Sequence, residues 1–231
     1  VRIRAISLDL DDTLWPIEPV ILRAEQHLEG WLQRECPHVA AAWPVAELRE
    51  LRERIYGENP HLGHDFTALR KLSLRAVFTP FEMGEDWVER AYIEYFTARN
   101  QVECYSDALP ALERLAALLP LVSISNGNAD LDRIGLRRFF QFSVSAREFG
   151  AAKPHASIFH TACERLGLQP HEVLHVGDDA ELDVLGARDA GLRTAWLNRG
   201  DTAWAHPVAP DLTLSDLGEL AHWLENHQRG I

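Results

Sequence analysis

The chain of 231 residues is poor in cysteine, poor in positive charge and without any long apolar run. Its three cysteines, Cys36, Cys104 and Cys163, lie far apart and form no Cys-x-x-Cys pair. An odd number cannot close a disulfide framework, so a reducing, cytoplasmic setting is expected. With 23 Lys and Arg against 35 Asp and Glu, the formal net charge is −12. No overall field draws such a chain to phosphate backbones or anionic lipid, which predicts neither a nucleic-acid nor a membrane partner. Nothing approaches the ~20 consecutive apolar residues of a membrane-spanning helix. The first residues, where Arg2 and Arg4 interrupt the apolar ones and Asp9 soon follows, lack the features of a signal peptide. The 11 histidines show no HxH, HxxxH or mixed Cys/His spacing, which reads as scattered surface residues rather than metal ligands.

What is present is an ordinary globular composition, 46% hydrophobic and 25% charged, enough for one large domain or two modest ones. Ile3 to Leu10 reads as a strand, and Pro16-Ile17-Glu18-Pro19 then breaks regular structure. Strand signal vanishes for about a hundred residues, in which Ile21, Ala24, Leu28 and Trp31-Leu32 keep helical spacing. Trp87-Val88, Ala91-Tyr92 and Tyr95-Phe96 do the same, with shorter helical patterns around Val45–Tyr56 and Phe66–Phe78. From Leu109 strands and helices alternate: a helix at 110–118, strands at 121–125, 142–145, 173–176 and 194–197, and a helix at 154–166. This predicts an α/β fold, a Rossmann-like doubly wound parallel sheet with an inserted all-helical domain. The expected boundaries are 1–16 and 105–231 for the core and 17–104 for the insert. Trp31 and Trp87 are expected to pack the insert, and the charge-rich run Glu47–Arg54 to form a solvated helix face.

Four polar clusters fall at expected strand ends. In Asp9-Leu10-Asp11-Asp12-Thr13, alternate residues of an extended chain share a side, so Asp9 and Asp11 project together while Leu10 turns inward. Carboxylates that close repel unless a cation or a shared proton intervenes. A solvated turn with Asp12 or Thr13 as a helix cap accounts for one acid easily and for three poorly. Ser125-Asn126-Gly127-Asn128 offers a hydroxyl and backbone N–H groups that suit a phosphoryl oxygen, although small polar residues end many strands. Lys153-Pro154 places a lysine at a helix start, with Pro154 as the first helical residue. The helix dipole disfavours a cation there and asks for an anionic partner, though alone it reads as a surface lysine. In Gly177-Asp178-Asp179-Ala180-Glu181-Leu182-Asp183, Asp179 suits a helix cap and Glu181 a first turn, but Asp178 has no such duty. Together, at successive strand ends of one sheet, the four are far more specific than any one alone.

In this order the clusters resemble the haloacid dehalogenase superfamily, whose DxDxT, Ser/Thr, Lys and GDxxxxD motifs match Asp9–Thr13, Ser125, Lys153 and Asp178–Asp183 over the length of the chain. The resemblance implies a Mg²⁺-dependent phosphomonoester phosphatase with a helical cap, acting on a small phosphorylated metabolite as a monomer or homodimer. It implies Asp9 as a nucleophile that forms an aspartyl-phosphate, and Asp11 as the acid for the leaving oxygen and then the base for water. Lys153 would be catalytic and, with Ser125, Asn126 and Gly127, would hold phosphoryl oxygens. Mg²⁺ would sit on Asp9, the backbone carbonyl of Asp11, and Asp178, with Thr13, Asp179 and Asp183 in support. Relatives that displace halide lack the second aspartate, so Asp11 argues against a 2-haloacid dehalogenase. A sugar phosphomutase shares the fold and the Asp9/Asp11 pair and stays open. A receiver-like phospho-acceptor signalling module is disfavoured by motif order and by the insert. The stretch Pro19–Arg23, with His64-Asp65, Thr67 and Arg70, further resembles bacterial phosphatases of riboflavin biosynthesis that act on flavin mononucleotide and 5-amino-6-(5-phospho-D-ribitylamino)uracil. Trp15, expected at the site entrance, and His64 and Arg70 in the insert are the candidate specificity residues, each equally readable as a packing, capping or ion-paired residue. The cap is expected to close by hinge rotation.

Overall fold

The first strand, β1 (Ala5–Leu8), is buried along its whole length, as a central parallel strand covered on both faces must be. The computed structural model describes residues 2–200 and 202–228. The sequence-based domain limits at residues 1 and 231 lie outside them. By contacts the chain falls into two compact units: Val1–Pro16, Glu103–Gly127 and Ile134–Ile231 in one, Ile17–Val102 and Asn128–Arg133 in the other.

The second unit is helical: α1 (Ile17–Glu35), α2 (Pro37–Ala42), α3 (Val45–Glu58), α4 (Phe66–Phe78) and α5 (Glu85–Arg99). α1 buries Val20, Ala24, Leu28, Trp31 and Leu32, a stripe at helical spacing. It packs on α5, whose buried residues include Val88, Ala91, Tyr92 and Tyr95. Trp31 and Trp87 belong to this core, with ring centroids 6.1 Å apart and the Arg90 guanidinium over both rings. α4 starts where the Asp65 side chain accepts the Ala68 N–H at 2.9 Å. Along α3, Glu47, Arg49, Glu50, Glu53 and Arg54 are exposed as expected, but Arg52 turns inward to pair with Glu25. Residues 128–133, expected with the sheet, group with the helices. Asn128 accepts from Arg99 Nε at 2.9 Å, and the Asp130 N–H donates to Asn100 Oδ1 at 2.7 Å.

The first unit adds α6 (Ala108–Leu118), β2 (Leu121–Ser125), α7 (Leu131–Ile134, whose last residue alone lies in this unit), β3 (Ser143–Ser145), α8 (Ala146–Phe149) and α9 (Ala156–Leu166). It continues with β4 (Val173–Gly177), a π-helical turn (Ala180–Leu185), α10 (Gly186–Asp189), β5 (Arg193–Leu197), β6 (Leu212–Leu214) and α11 (Leu217–Gln228). The six strands are all parallel, in the order β3-β2-β1-β4-β5-β6. Register sets Ser7 beside both Val122 and His175, so these three share a face, on which Ile158, Phe159 and Ala162 of α9 pack against Val122, Ile124 and Val144. α9 begins at Ala156 rather than at Pro154, because His155 is the residue that accepts the first free N–H, from Ser157. β6 and α11 extend the sheet unit beyond the last expected strand; Leu217, Leu220, Ala221 and Leu224 are buried at helical spacing. All three cysteines are free, and burial pushes the Cys163 thiol up to about 11. Among the described residues no helix is long and apolar enough to cross a membrane.

Phe159 is fully buried and meets the His175 ring edge-on at 5.0 Å between centroids. Phe159→Ala should lower unfolding free energy by about 3–5 kcal/mol, read as a fall in the urea midpoint.

Candidate active site

β1 delivers Asp9 to the edge of the sheet, where its N–H still donates to the Val176 carbonyl at 2.9 Å. The chain then turns tightly. Asp12 takes a left-handed φ of 59°, its N–H donates to Trp15 O, and the Leu14 N–H donates to Leu10 O, both at 2.8 Å. Leu10, Leu14 and Trp15 are buried and anchor the loop. The Trp15 indole donates to Asp11 Oδ1 at 2.8 Å. Trp15 therefore does not line an entrance, as its sequence position led us to expect; with no exposed surface, it orients Asp11 from below. Thr13, also fully buried, donates its hydroxyl to Asp178 Oδ1 at 3.0 Å.

A second loop pair presents the cation. Asn126 Nδ2 donates to the Lys153 carbonyl at 3.0 Å and Asn126 Oδ1 accepts the Lys153 N–H at 2.8 Å. The Asn126 side chain thus clamps the loop before α9, and Ser125 Oγ accepts the Gly127 N–H at 3.0 Å. From this base the Lys153 ammonium, 4% exposed, donates to Asp9 Oδ1 and to Asp183 Oδ1, each at 2.5 Å.

Asp183 is held from three sides. Besides Lys153, it accepts the Asp179 N–H at 3.1 Å and faces His175 Nε2 at 3.1 Å. Burial lowers the His175 pKa, so the ring is neutral, donates from Nε2 and accepts the Ser7 hydroxyl at Nδ1, 2.9 Å away. The Asp179 side chain caps the π-helical turn, accepting the Glu181 and Leu182 N–H groups at 2.8 Å, while its backbone serves Asp183. Gly177 makes this approach possible: a Cβ there would fall 2.2 Å from Asp183 Cγ. The Trp196 indole donates to the Asp178 carbonyl at 2.8 Å and fixes that residue from β5.

Three carboxylates crowd around a site that holds one ammonium, which pairs with two of them. Oxygens of Asp9, Asp178 and Asp183 all lie within 4.8 Å of one another. Burial is the largest influence on each. It raises Asp9 well above the usual carboxylate range, with the Asp183 and Asp178 charges adding and Lys153 opposing. Asp178 is pushed up to about 7 by burial, Asp183 and Asp12, against the Thr13 hydrogen bond. At Asp183 burial is outweighed by Lys153 and His175, which hold it at about 2. Burial opposes it, yet the charges and hydrogen bonds of Asp183 and Asp9 raise the Lys153 pKa. Crowded oxygen donors with too little positive charge fit a small hard divalent cation. Asp183 is committed to Lys153, His175 and the Asp179 N–H, which leaves Asp9 and Asp178 as the available carboxylates. The Asp11 carboxylate, turned to Trp15, stands outside this trio.

The structure thus brings Asp9, Thr13, Lys153, Asp178 and Asp183 together, with Ser125–Gly127 tied to Lys153. His64 and Arg70 are in the helical unit: His64 is half-buried ahead of α4, and Arg70 is buried on α4, its Nε without a hydrogen-bonding partner and its guanidinium 3.9 Å over the Tyr95 ring. Sequence reasoning passed over Ser7, His175 and Trp196, and quoted Gly177 only as the head of its motif. The two-residue period of β1 and β4 was the signal for the first two, because it sets a hydroxyl and an imidazole on one interior face.

A family model of haloacid dehalogenase-like hydrolases matches residues 3–191. The chain belongs to the haloacid dehalogenase-like hydrolases. Among its relatives in this family, it is 32% identical to the 5-amino-6-(5-phospho-D-ribitylamino)uracil phosphatase YigB of Escherichia coli, over 95% of each chain. It is 34% identical to a phosphoserine phosphatase of Thermus thermophilus, over 94% of this chain and 97% of that one. A crystal structure described as a 2-haloacid dehalogenase from Pseudomonas syringae superimposes with a TM-score of 0.90 at 33% identity, covering 97% of this chain and 99% of that one.

Two outcomes test this geometry. Gly177→Ala forces Asp183 away from Lys153 and should lower the melting temperature by several degrees, at about 2 kcal/mol or more. A carboxyl raised in the folded state stabilises in its protonated form; that contribution is complete below the unfolded value of 3.8 and is lost as pH rises through about 7. Metal-free protein should therefore lose melting temperature across that window, and Asp178→Asn should flatten the decline.

Proposed function

We propose that this hydrolase is a phosphomonoester phosphatase of small metabolites that works through an aspartyl-phosphate on Asp9. The observation that carries the reading is the buried Lys153 ammonium, 2.5 Å from Asp9 at the end of β1 and tied through Asn126 to the Ser125–Gly127 turn. A cation so placed neutralises an anionic substrate meeting an anionic nucleophile. Asp9 attacks phosphorus, the ester P–O bond breaks, and Asp11 delivers a proton to the leaving oxygen. Water then attacks the acyl phosphate, Asp11 takes its proton, and Asp9 is regenerated as inorganic phosphate departs. Asp9, the Asp11 carbonyl and Asp178 would hold Mg²⁺, which when bound supplies charge neutralisation for the phosphate and the crowded carboxylates. Ser125 and the Gly127 turn grip phosphoryl oxygens, and Thr13 and Asp183 keep Asp178 and Lys153 in place.

The substrate proposed first is 5-amino-6-(5-phospho-D-ribitylamino)uracil, with flavin mononucleotide second. The support is the similarity to the E. coli phosphatase along 95% of both chains. A dehalogenase reading is favoured by the Pseudomonas syringae structure. Against it stands Asp11: an alkoxide needs a proton to leave and a halide does not, and here that carboxyl is held in place by a buried indole.

Phosphate release from p-nitrophenyl phosphate should require Mg²⁺, vanish with EDTA and return on adding Mg²⁺. Asp9→Asn should lower kcat by roughly 10³-fold or more, whereas undiminished turnover removes the nucleophile. Asp11→Asn should slow the cycle and leave labelled phosphate on the protein. Chloride release from 2-chloropropionate without phosphatase activity would establish the dehalogenase instead. Isomerised sugar phosphate without net phosphate would establish a mutase.

A further inference from the structure

β5 and β6 are parallel neighbours, so the chain between Leu197 and Leu212 must return along the sheet, a crossover that a helix usually makes. Here its described residues form no helix. The crossover opens on a clamp: Asn198 Nδ2 donates to the Thr202 carbonyl at 2.8 Å, and Asn198 Oδ1 accepts the Thr202 N–H at 3.0 Å. Two residues on, Trp204 meets Trp196 of β5 in an edge contact, with ring centroids 4.9 Å apart. The Trp204 indole donates to the Val208 carbonyl at 3.1 Å, and the His206 ring packs against it at 5.1 Å. The crossover has no part in the chemistry described above.

What Trp204 braces is one end of a peptide group. The unit linking Asp178 to Asp179 has its carbonyl bonded by the Trp196 indole at 2.8 Å, and its N–H bonded to Asp183 Oδ2 at 3.1 Å. A planar group held at both ends resists rotation, and rotating it would change ψ of Asp178. Trp196 is 6% exposed, and a hydrogen bond kept from water is stronger than one that water contests. At the carboxylate itself only Thr13 donates, at 3.0 Å, so the direction of this side chain depends on its backbone. We propose that Trp196 and Trp204 are positioning residues: Trp204 holds the Trp196 indole on the Asp178 carbonyl, and so keeps the Asp178 carboxylate in the orientation that receives a divalent cation. The proposal rests on the reading of Asp178 as a carboxylate ligand of Mg²⁺. Partners that orient a metal ligand are typically worth about 10–100-fold in metal affinity.

Mg²⁺ binding to the metal-free chain, measured by isothermal titration calorimetry without substrate, tests the proposal, with the Mg²⁺ dependence of p-nitrophenyl phosphate turnover measured beside it. Trp196→Phe keeps a ring against Trp204 and loses the N–H; it should weaken Mg²⁺ binding roughly tenfold or more. Trp204→Ala should weaken it too, and Trp204→Phe, which returns a ring to Trp196, should recover most of the affinity. In the two weakened variants kcat should return toward the unaltered value at saturating Mg²⁺, with KM for p-nitrophenyl phosphate unchanged. Leu220→Ala, in the buried face of α11, is the stability control: it should lower the melting temperature and leave Mg²⁺ affinity as it was. Mg²⁺ affinity within about twofold of the unaltered chain in both Trp196→Phe and Trp204→Ala, or an equal loss in Leu220→Ala, would overturn the inference. Should Trp196→Phe fail to fold, Trp204→Ala against Trp204→Phe decides. Absence of Mg²⁺ binding in the unaltered chain would overturn the reading of Asp178 as a ligand, and this inference with it, so the two failures are told apart.

Discussion

A buried ammonium between two buried carboxylates is the constraint around which the sheet unit is arranged. Removing one partner from such a group strands the others in a low-dielectric interior, at a cost of about 3–5 kcal/mol. The surrounding residues make sense as ways of keeping the arrangement whole. Asn126 fixes the backbone of Lys153, Gly177 leaves room for Asp183, and His175, itself bonded to Ser7, faces Asp183 from the sheet interior. Phe159 seals the imidazole from water. Polar groups run through the interior of the sheet because each meets a partner.

The loop after β1 is braced in a different way. Arg199 grips Asp107 with two parallel hydrogen bonds of 2.8 and 2.9 Å, donates to the Thr13 carbonyl at 3.0 Å and lies over the Tyr105 ring. Asp107 also accepts the Leu217 N–H at the start of α11, and the Tyr105 N–H donates to the Leu14 carbonyl. The segment that returns the chain to the sheet and the C-terminal helix thus both bear on the turn that carries Asp11 and Thr13. The carboxyl proposed as the proton donor has its backbone fixed by that support.

Much of this was legible in the residues. Continuous apolar runs separated by helical spacing mark parallel strands, and β2 and α4 begin and end where the pattern says they should. The polar clusters are legible because strand ends are the one place in such a sheet where acids need no local excuse. What could not be read is mostly side-chain direction. Trp15 next to three acids looks like an entrance residue, yet its apolar body follows Leu14 into the core. Asp11 follows Asp9 by two residues, but the left-handed turn at Asp12 ends the strand periodicity and hands its carboxylate to the indole. Arg52 sits in a run of charges that reads as solvated, and only the position of Glu25 on another helix shows otherwise. β6 is too short to leave a periodic signal.

The central place of β1 also sets a timetable. Its two neighbours in the sheet begin at Leu121 and Val173, so a ribosome adding roughly 5–20 residues per second must work for many seconds before the strand finds either edge. Over that interval the helices of Ile17–Val102 emerge with their own buried stripes complete, while the strand Ala5–Leu8 remains unpaired. Long-range strand pairing of this kind is slow to form. The acids that follow Leu8 therefore have a second role during synthesis: they keep a short, sticky strand in solution until its partners exist.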